Sequence, residues 1–148
     1  MIGIDTDILI AYEVRVHPRH AVARATLSQA MAAGERLAFL PQVISEFIHV
    51  STDAKRFSVC LTMDAALQRM QAWQSANETE MIFPNDEALA LFSKWMREFQ
   101  LGRKRVLDTM LAATYFASGL TKLATFNVSD FAIFKAFEFL EIPAELSK

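Results

Sequence analysis

The sequence predicts an α/β fold in which a mainly parallel sheet is covered by helices on both faces. Short apolar runs alternate along the chain with longer segments whose apolar residues recur at helical spacing. A strand, a helix and a further strand in that order form a right-handed crossover, which makes the two strands parallel neighbours. We therefore expect a three-layer sandwich with a five-stranded, mainly parallel sheet.

Length and composition indicate one domain over residues 1–148. Of the 148 residues, 53% are hydrophobic, which is enough for one continuous core. The net charge of -2 argues against a broadly basic surface that wraps nucleic acid, although a local basic patch is compatible with it. Neither a signal peptide nor an apolar run of about 20 residues is visible, and the single cysteine suits a reducing compartment. We expect a cytoplasmic protein without a membrane partner.

The first half of the chain contains two apolar runs, each followed by a helix signal. Thr, Asp and Pro favour the first turn of a helix, whereas Gly favours its end. The predicted elements are a strand at residues 1–4, a helix from Thr6 or Asp7 to Tyr12, a loop at 14–20, a helix at 21–33 that stops at Gly34, a strand at 37–40 closed by Pro41, and a helix at 42–53. The apolar residues of that last helix share one side, which leaves Glu46 on the other.

The second half of the chain continues the alternation with three more strands. Thr62 and the acidic segment 85–87 are suitable helix starts, because a polar cap or a first-turn acid stabilises the free N–H groups. The predicted elements are a helix from Thr62 through Trp73, a turn at 75–79, a strand at 81–83, a helix from 85–87 to Phe99 that ends at Gly102, a helix opened by Leu107 and Asp108 that closes at Gly119, a strand at 123–124, a helical turn at 129–134 and a strand at 137–142. Residues 55–61 are ambiguous.

Four acidic residues should meet at the carboxyl edge of this sheet, where open parallel sheets bind their ligands. Asp5 ends the first strand, and Glu46 lies one turn into the helix after the second. Asp108 opens a later helix, and Asp130 follows the fourth strand. Taken singly, Asp5 and Asp108 are as well explained as helix caps, and Glu46 as a solvated side chain. Their combination is what indicates a site.

A cluster of carboxylates of this kind requires a cation. Two carboxylates ~4 Å apart repel by about 4 kcal/mol at an effective dielectric near 20. Oxygen ligands, with no histidine or cysteine demanded by the spacing, favour Mg²⁺ or Mn²⁺ over zinc. Such an ion can activate water for attack on a phosphodiester and stabilise charge on the leaving oxygen. The sequence therefore predicts a metal-dependent nuclease.

Four short segments also carry a resemblance to a known family. They read IDTDILIAY at residues 4–12, SEF at 45–47, LDTMLAA at 107–113 and TFNVSDF at 125–131. In this order they resemble the PIN domain and, more narrowly, the VapC-like toxins of bacterial toxin-antitoxin pairs. The resemblance implies that the acidic set around Mg²⁺ or Mn²⁺ is Asp5, Glu46, Asp108 and Asp130. It also implies that Thr125 and Asn127 position the fourth acid or the attacking water.

The same resemblance implies an activity and partners. Members of the family are endoribonucleases, usually homodimeric, that a small antitoxin silences by inserting a segment into the active-site groove. Two positions depart from the family pattern. The family often has Asn where this chain has Asp7, and either Asn127 or Asp130 can fill the fourth acidic position.

Basic residues near these acids are candidates for contacts with RNA phosphates. The main candidates are Arg103, Lys104 and Arg105. Their charges are alternatively explained as stabilising the C-terminus of the preceding helix. Weaker candidates for substrate contacts are His17 and His20, which lie beside Arg15 and Arg19 in the loop before the second helix.

Two other functions fit part of the pattern. Asp5-Thr6-Asp7 after an apolar strand has the spacing of the nucleophile and acid in phosphatases of the haloacid dehalogenase type, but the expected Gly-Thr does not follow. A non-catalytic PIN-like binding module would instead use the acids as structural caps, and it would bind no metal.

Overall fold

The computed structural model describes residues 1–146 and contains a five-stranded sheet in which every neighbouring pair of strands is parallel. The strands are β1 (Ile2–Ile4), β2 (Leu37–Phe39), β3 (Thr79–Met81), β4 (Lys122–Ala124) and β5 (Glu138–Phe139). Their order across the sheet is β3-β2-β1-β4-β5, so the direction of winding reverses at β1. The predicted α/β class and parallel five-stranded sheet are confirmed.

Helices connect the strands within residues 1–146. They are α1 (Thr6–Glu13), α2 (His20–Ala32), α3 (Pro41–Ser51), α4 (Met63–Ser75), α5 (Asp86–Glu98), α6 (Val106–Ala117) and α7 (Val128–Ala132), with a 3-10 turn, Arg103–Arg105, before α6. Helices α1 to α4 pack on one another, and α5 packs on α6. Right-handed crossovers that run in opposite directions from β1 place these two groups on opposite faces of the sheet. Among the described residues, no helix has the length and apolar character needed to cross a membrane.

The core lies between the sheet and these two helix layers. Strands β1 and β2 are buried along their whole length, which is why both read as apolar runs. A second feature of the core is an aromatic stack in which Trp95 of α5 packs against Phe134, with ring centroids 4.5 Å apart. Strands β1 and β2 are therefore a rigid support for the residues that follow their carboxyl ends.

Strand β3 lies earlier than predicted, at Thr79–Met81 instead of 81–83. Thr79 pairs with Leu37 and Met81 with Phe39. Because β3 is an edge strand, Glu80 can reach solvent and pair with Arg36 at 3.1 Å, so the strand does not need to be apolar. The apolar run that suggested a later strand instead ends in an exposed side chain, since Phe83 is 63% exposed.

The end of α5 also differs from the prediction, which placed the stop at Gly102. The helix ends at Glu98, and Gln100 adopts the left-handed conformation with φ 51°. The N–H of Leu101 then donates to the carbonyl of Met96 at 3.0 Å, which closes the helix end. The other two predicted glycine stops are confirmed, because Gly34 and Gly119 have φ values of 89° and 87°.

Two smaller differences concern the C-terminal part of the described chain. Strand β5 covers only Glu138–Phe139 instead of the predicted residues 137–142. Helix α6 begins at Val106, directly after the 3-10 turn, and not at Leu107 or Asp108. Asp108 therefore lies inside the first helical turn, which bears on its role in the site.

Candidate active site

The candidate site lies where the strand order reverses, at the carboxyl ends of β1 and β4. Asp5 directly follows β1, and Thr125 directly follows β4. The two strand ends are joined because the N–H of Asp5 donates to the carbonyl of Ala124 at 3.1 Å. This is the edge at which an open parallel sheet leaves a crevice for a ligand.

The Asp5 carboxylate is buried and has a partner on each oxygen. Its Oδ1 accepts from the N–H of Thr6 at 2.7 Å, so Asp5 itself caps α1, in the place predicted for Thr6 or Asp7. Its Oδ2 accepts from the Thr125 hydroxyl at 2.7 Å. Only 6% of Asp5 is exposed. The capping role and a site role are thus compatible, since one oxygen serves each.

Asp7 lies in this site, although the sequence suggested it only as a helix start, as a departure from the family pattern and as the acid of a phosphatase. Its Oδ2 accepts from the N–H of Phe126 at 3.0 Å and from the Asn127 side-chain amide at 3.1 Å. Its Oδ1 is buried and has no hydrogen-bond partner within residues 1–146. The available signal was a second acid, two residues after Asp5 and three after the end of a buried strand. Asp7 and Asp5 therefore belong to one hydrogen-bonded unit.

The segment after β4 holds this unit together. The Thr125 hydroxyl, besides donating to Asp5, accepts from the N–H of Asn127 at 2.9 Å. Thr125 and Asn127 consequently contact Asp5 and Asp7, whereas the expectation was that they would position the fourth acid or a water. Asn127 uses its amide group to hold Asp7.

Asp108 lies in the first turn of α6 and faces the other acids. It follows the N-cap residue Arg105 and is not a cap itself. Burial raises the pKa of Asp108, the ion pair with Arg105 opposes that increase, and the charges of Asp130 and Glu46 add to it. The charge of Asp108 in turn raises the pKa of Asp5. The four predicted acids are therefore electrostatically coupled, with Asp108 as the shared member.

Gln42, which was not predicted as a site residue, links Glu46 to the start of α6 by hydrogen bonds. Its side-chain amide donates to Glu46 Oε1 at 2.9 Å and to the carbonyl of Leu107 at 2.9 Å. Gln42 and Glu46 are one turn apart on α3, and Leu107 directly precedes Asp108. The only sequence signal for this link was a second polar residue on the polar side of that helix.

Of the three predicted basic residues, Arg105 contacts the acidic site, whereas Arg103 and Lys104 are exposed. Arg105 donates to the backbone carbonyl of Asp130, and its Nε lies 3.9 Å from Asp108 Oδ2. Arg103 and Lys104 are exposed. Arg105 therefore acts within the acidic site as an internal counter-charge, which leaves Arg103 and Lys104 accessible to a ligand.

Burial and mutual repulsion shift the acids strongly. Burial, with the charge of Asp7, raises the pKa of Asp5 to about 8, although hydrogen bonds from Thr125 and Thr6 oppose the shift. Burial also raises the pKa of Asp7 to about 6. Carboxyl groups with pKa values this high are poorly compensated by the protein alone, so a cation beside them would be strongly favourable.

The donor chemistry fits a hard divalent cation, although the acids do not form a complete ligand set as they stand. Within residues 1–146, no group of three or more His, Cys, Asp or Glu side chains is arranged so that it could hold a metal ion. The coupled groups all present carboxylate oxygens, which Mg²⁺ and Mn²⁺ prefer. The buried, unpaired Oδ1 of Asp7 and the raised pKa of Asp5 are consistent with such an ion.

A buried tyrosine of α6 supports the strand that carries Asp5. The Tyr115 hydroxyl accepts from the N–H of Ile4 at 3.2 Å, and it lies 2.8 Å from the carbonyls of Ile4 and Ala38. It thus bridges the carboxyl ends of β1 and β2. A Cβ at Gly3 would lie 2.8 Å from the Tyr115 ring, so only glycine leaves room for it. No local pattern in the sequence indicates this contact.

Comparisons with known proteins show which solved structures share this fold. No protein-family profile matches the sequence, and no curated protein sequence matches it significantly. Solved structures do match. Mycobacterium tuberculosis VapC20, described as a sarcin-ricin loop cleaving toxin, superposes with a TM-score of 0.68 at 15% identity, covering 90% of this chain and 95% of its own.

Two further structures agree with this match. VapBC-1 from nontypeable Haemophilus influenzae has a TM-score of 0.66 at 18% identity, covering 94% of this chain and 96% of its own. A toxin-antitoxin complex from Klebsiella pneumoniae has a TM-score of 0.62 at 19% identity, covering 97% and 100%. The chain therefore has the PIN-like fold of VapC toxins, as the resemblance predicted.

Proposed function

We propose that this protein is a metal-dependent endoribonuclease and the toxin of a toxin-antitoxin pair. The observation that carries the proposal is the electrostatic coupling of Asp108 to the acids from three other parts of the chain. Asp5 directly follows β1, where the strand order of the sheet reverses, and this is the edge at which an open parallel sheet binds its ligand. Isolated helix caps would have no reason to converge in this way.

The proposed ligands of Mg²⁺ or Mn²⁺ are the carboxylates of Asp5, Asp108, Glu46 and Asp130. A bound ion of this kind supplies an activated water and neutralises charge on the phosphoryl group. For the fourth position we choose Asp130 over Asn127. Asn127 is engaged with Asp7 through its amide, whereas Asp130 contributes a charge that raises the pKa of Asp108.

The other side chains have positioning roles in this proposal. Thr125 orients Asp5, and Asn127 orients Asp7. Gln42 fixes the rotamer of Glu46. Such outer contacts commonly change metal affinity or activity by 10–100-fold when they are removed. Arg105 balances the negative charge beside Asp108.

The partners proposed for this chain are an RNA substrate, a cognate antitoxin and a second copy of the chain as a homodimer. Two matched structures support the first two, since one is described as a loop-cleaving toxin and the other as a toxin-antitoxin complex. Exposed Arg103 and Lys104, beside the acidic site, are proposed contacts for RNA phosphates. The proposed location is the cytoplasm, where RNA substrates are present.

The geometry favours this function over the two alternatives. In a phosphatase, Asp7 would have to deliver a proton, but two donors from the segment after β4 hold its Oδ2. In a non-catalytic module the acids would be caps. Asp5 is a cap, yet Asp108 lies inside α6 and caps nothing within the described residues.

The test is RNA cleavage by the purified protein with and without divalent ions. We expect cleavage only with Mg²⁺ or Mn²⁺, and loss of cleavage in Asp5→Asn and Asp108→Asn. Asp64→Asn, which removes an exposed acid of α4, is the matched control and should cleave normally. Full cleavage by both site variants would reject the proposal. Sequencing of cellular RNA ends after induction would then identify the RNA that is cut.

A further inference from the structure

We propose that a basic pocket at the far end of α1 binds a backbone phosphate of the RNA, an inference that rests on the proposed ribonuclease function. The pocket has a volume of about 280 Å³ and is lined by Tyr12, Glu13, Arg15, His20, Arg24 and Arg69. These residues come from the end of α1, the following loop, α2 and α4. We call it the α1–α4 pocket.

The walls of the α1–α4 pocket are held by specific contacts. The Arg24 guanidinium lies 4.4 Å from the centroid of the Tyr12 ring, which fixes a flexible side chain by a cation–π contact. His20 Nδ1 lies 2.8 Å from the carbonyl of Ala11, so Nδ1 donates to that carbonyl and the contact fixes the orientation of the ring. The pocket is therefore partly organised before any ligand enters it.

The charge of the pocket favours an anion. Glu13 is buried, but Trp73 donates to its Oε1 at 2.7 Å, and Arg69 lies 3.4 Å from its Oε2. Arg69 therefore balances Glu13. Arg15 and Arg24 are exposed, and neither forms an ion pair within residues 1–146. Two positive charges thus remain uncompensated in a protein whose net charge is -2.

A basic residue connects this pocket to the acidic site. Arg19 directly precedes His20, and its guanidinium lies 3.7 Å from the centroid of the Phe126 ring. The N–H of Phe126 donates to Asp7. Asp7 and Glu13 are six residues apart on α1, which corresponds to about 9 Å along the helix axis. A short single-stranded RNA can therefore span both places.

The chemistry of the side chains agrees with a phosphate ligand. All three cations of the pocket are arginines, whose planar guanidinium groups pair with two phosphate oxygens at once. An acidic peptide offers similar oxygens. The RNA backbone is the better match because Arg19 and Phe126 continue the basic surface to the site where RNA would be cut.

The test compares two double variants in a binding assay that needs no cleavage. Arg15→Gln with Arg24→Gln removes the uncompensated charges of the pocket, and Lys94→Gln with Arg97→Gln removes the same charge from the exposed side of α5. Binding of a short fluorescent single-stranded RNA is measured by anisotropy in EDTA over a range of salt concentrations. Each lost phosphate contact lowers the slope of log K against log [salt] by about 0.7. We expect a decrease of about 0.7, the value for one lost phosphate contact, in the pocket variant and a wild-type slope in the α5 variant.

The outcomes separate this proposal from the ribonuclease proposal. Equal slopes in both variants would overturn the pocket assignment whether or not the protein cleaves RNA. The reduced slope in a protein that never cleaves would instead support the pocket and reject the nuclease. Tighter binding of a polyglutamate peptide that depends on Arg15 and Arg24, with RNA binding unchanged, would show a protein-binding site and overturn the proposal.

A second measurement uses the unmodified chain and so avoids any effect of substitution on folding. The imidazole NMR signals of His20 should shift when the RNA is titrated into the wild-type protein in EDTA, and inorganic phosphate should shift the same signals more weakly. RNA binding that leaves the His20 signals unmoved would place the phosphate elsewhere.

Discussion

The two halves of the acidic site are held in different ways. In the switch-point half, Asp5 and Asp7 are bound by donors from the segment after β4 at distances of 2.7–3.1 Å. In the helix half, Glu46, Asp108 and Asp130 belong to three separate helices, and the contacts involve Gln42 and the 3.9 Å ion pair with Arg105. The first half is fixed by hydrogen bonds, whereas the second is balanced by charge.

This difference explains why the acids are coupled without forming a closed ligand set. The segment after β4 holds the carboxylates of Asp5 and Asp7 with neutral hydrogen-bond donors, and burial raises the pKa values of both groups. Carboxylates on separate helices repel one another, and Arg105 offsets part of that repulsion at Asp108. We infer that the switch-point half is preorganised and that a cation draws the helix half towards it. The predictions below test that division.

The largest expected effect is a pH dependence of stability that arises in the switch-point half. Below pH 3.8 the Asp5 carboxyl is protonated in the folded and the unfolded chain, so it carries no penalty. Between pH 3.8 and about 8 only the folded chain keeps the proton, and the free energy of unfolding falls by about 1.4 kcal/mol per pH unit. Urea denaturation in EDTA at several pH values should show this decrease. Asp5→Asn should flatten the curve, and parallel curves for the two proteins would contradict the assignment.

The next effect concerns the helix half and the divalent ion. Asp108→Asn should leave the metal-free fold as stable as wild type or more so, because burial and nearby acids raise the pKa of Asp108. A ligand at 100 times its Kd stabilises a folded protein by about 2.7 kcal/mol. We therefore expect Mg²⁺ or Mn²⁺ to raise the Tm of wild type but not that of Asp108→Asn. A large loss of stability in the metal-free variant would indicate that Asp108 is structural.

More of the fold than of the site is predictable from the sequence. The strands depend on patterns of neighbouring residues, whereas the site depends on contacts between residues far apart in the chain. The apolar runs and their alternation with helices specify β1, β2 and the parallel pairing of the strands, because burial on both faces is visible in composition alone. Strand β3 was predicted at 81–83 instead of Thr79–Met81. As an edge strand it tolerates Glu80, so its sequence is not an apolar run. The end of α5 was missed because Gln100 takes a conformation usually left to glycine.

The site was predictable where a residue type alone implies its chemistry. Acids at strand ends and helix starts predicted Asp5, Glu46, Asp108 and Asp130 as the candidate set, and the charges of these four acids act on one another. What joins them depends on contacts between segments far apart in sequence, such as Thr125 with Asp5 and Gln42 with Leu107. The bridge from Tyr115 to β1 and β2 is of the same kind. No local pattern encodes such pairs.

The comparison between the halves can be sharpened by removing one positioning contact from each. Thr125→Val keeps the shape of the side chain but removes the donor to Asp5, and we expect a 10–100-fold loss of metal affinity and cleavage. Thr121→Val, at an exposed position just before β4, is the matched control. Gln42→Met removes two hydrogen bonds of the helix half, and we expect a smaller loss of about tenfold because solvent reaches both of them. A larger loss in Gln42→Met than in Thr125→Val would reverse the proposed division of the site.

The smallest expected effect is that of Asp7→Asn, and it also separates the nuclease from the phosphatase. An amide oxygen can still accept from Phe126 and Asn127, and the substitution removes the charge that raises the pKa of Asp5. We therefore expect RNA cleavage within about threefold of wild type, the size of a small change in one hydrogen bond. A phosphatase that uses Asp7 as its acid would lose hydrolysis of a generic phosphomonoester in the same variant. Since Asp7 belongs to the fixed half, an abolished ribonuclease activity in Asp7→Asn would mean that this half supplies a second direct metal ligand, and Asp7 would join Asp5 in that role.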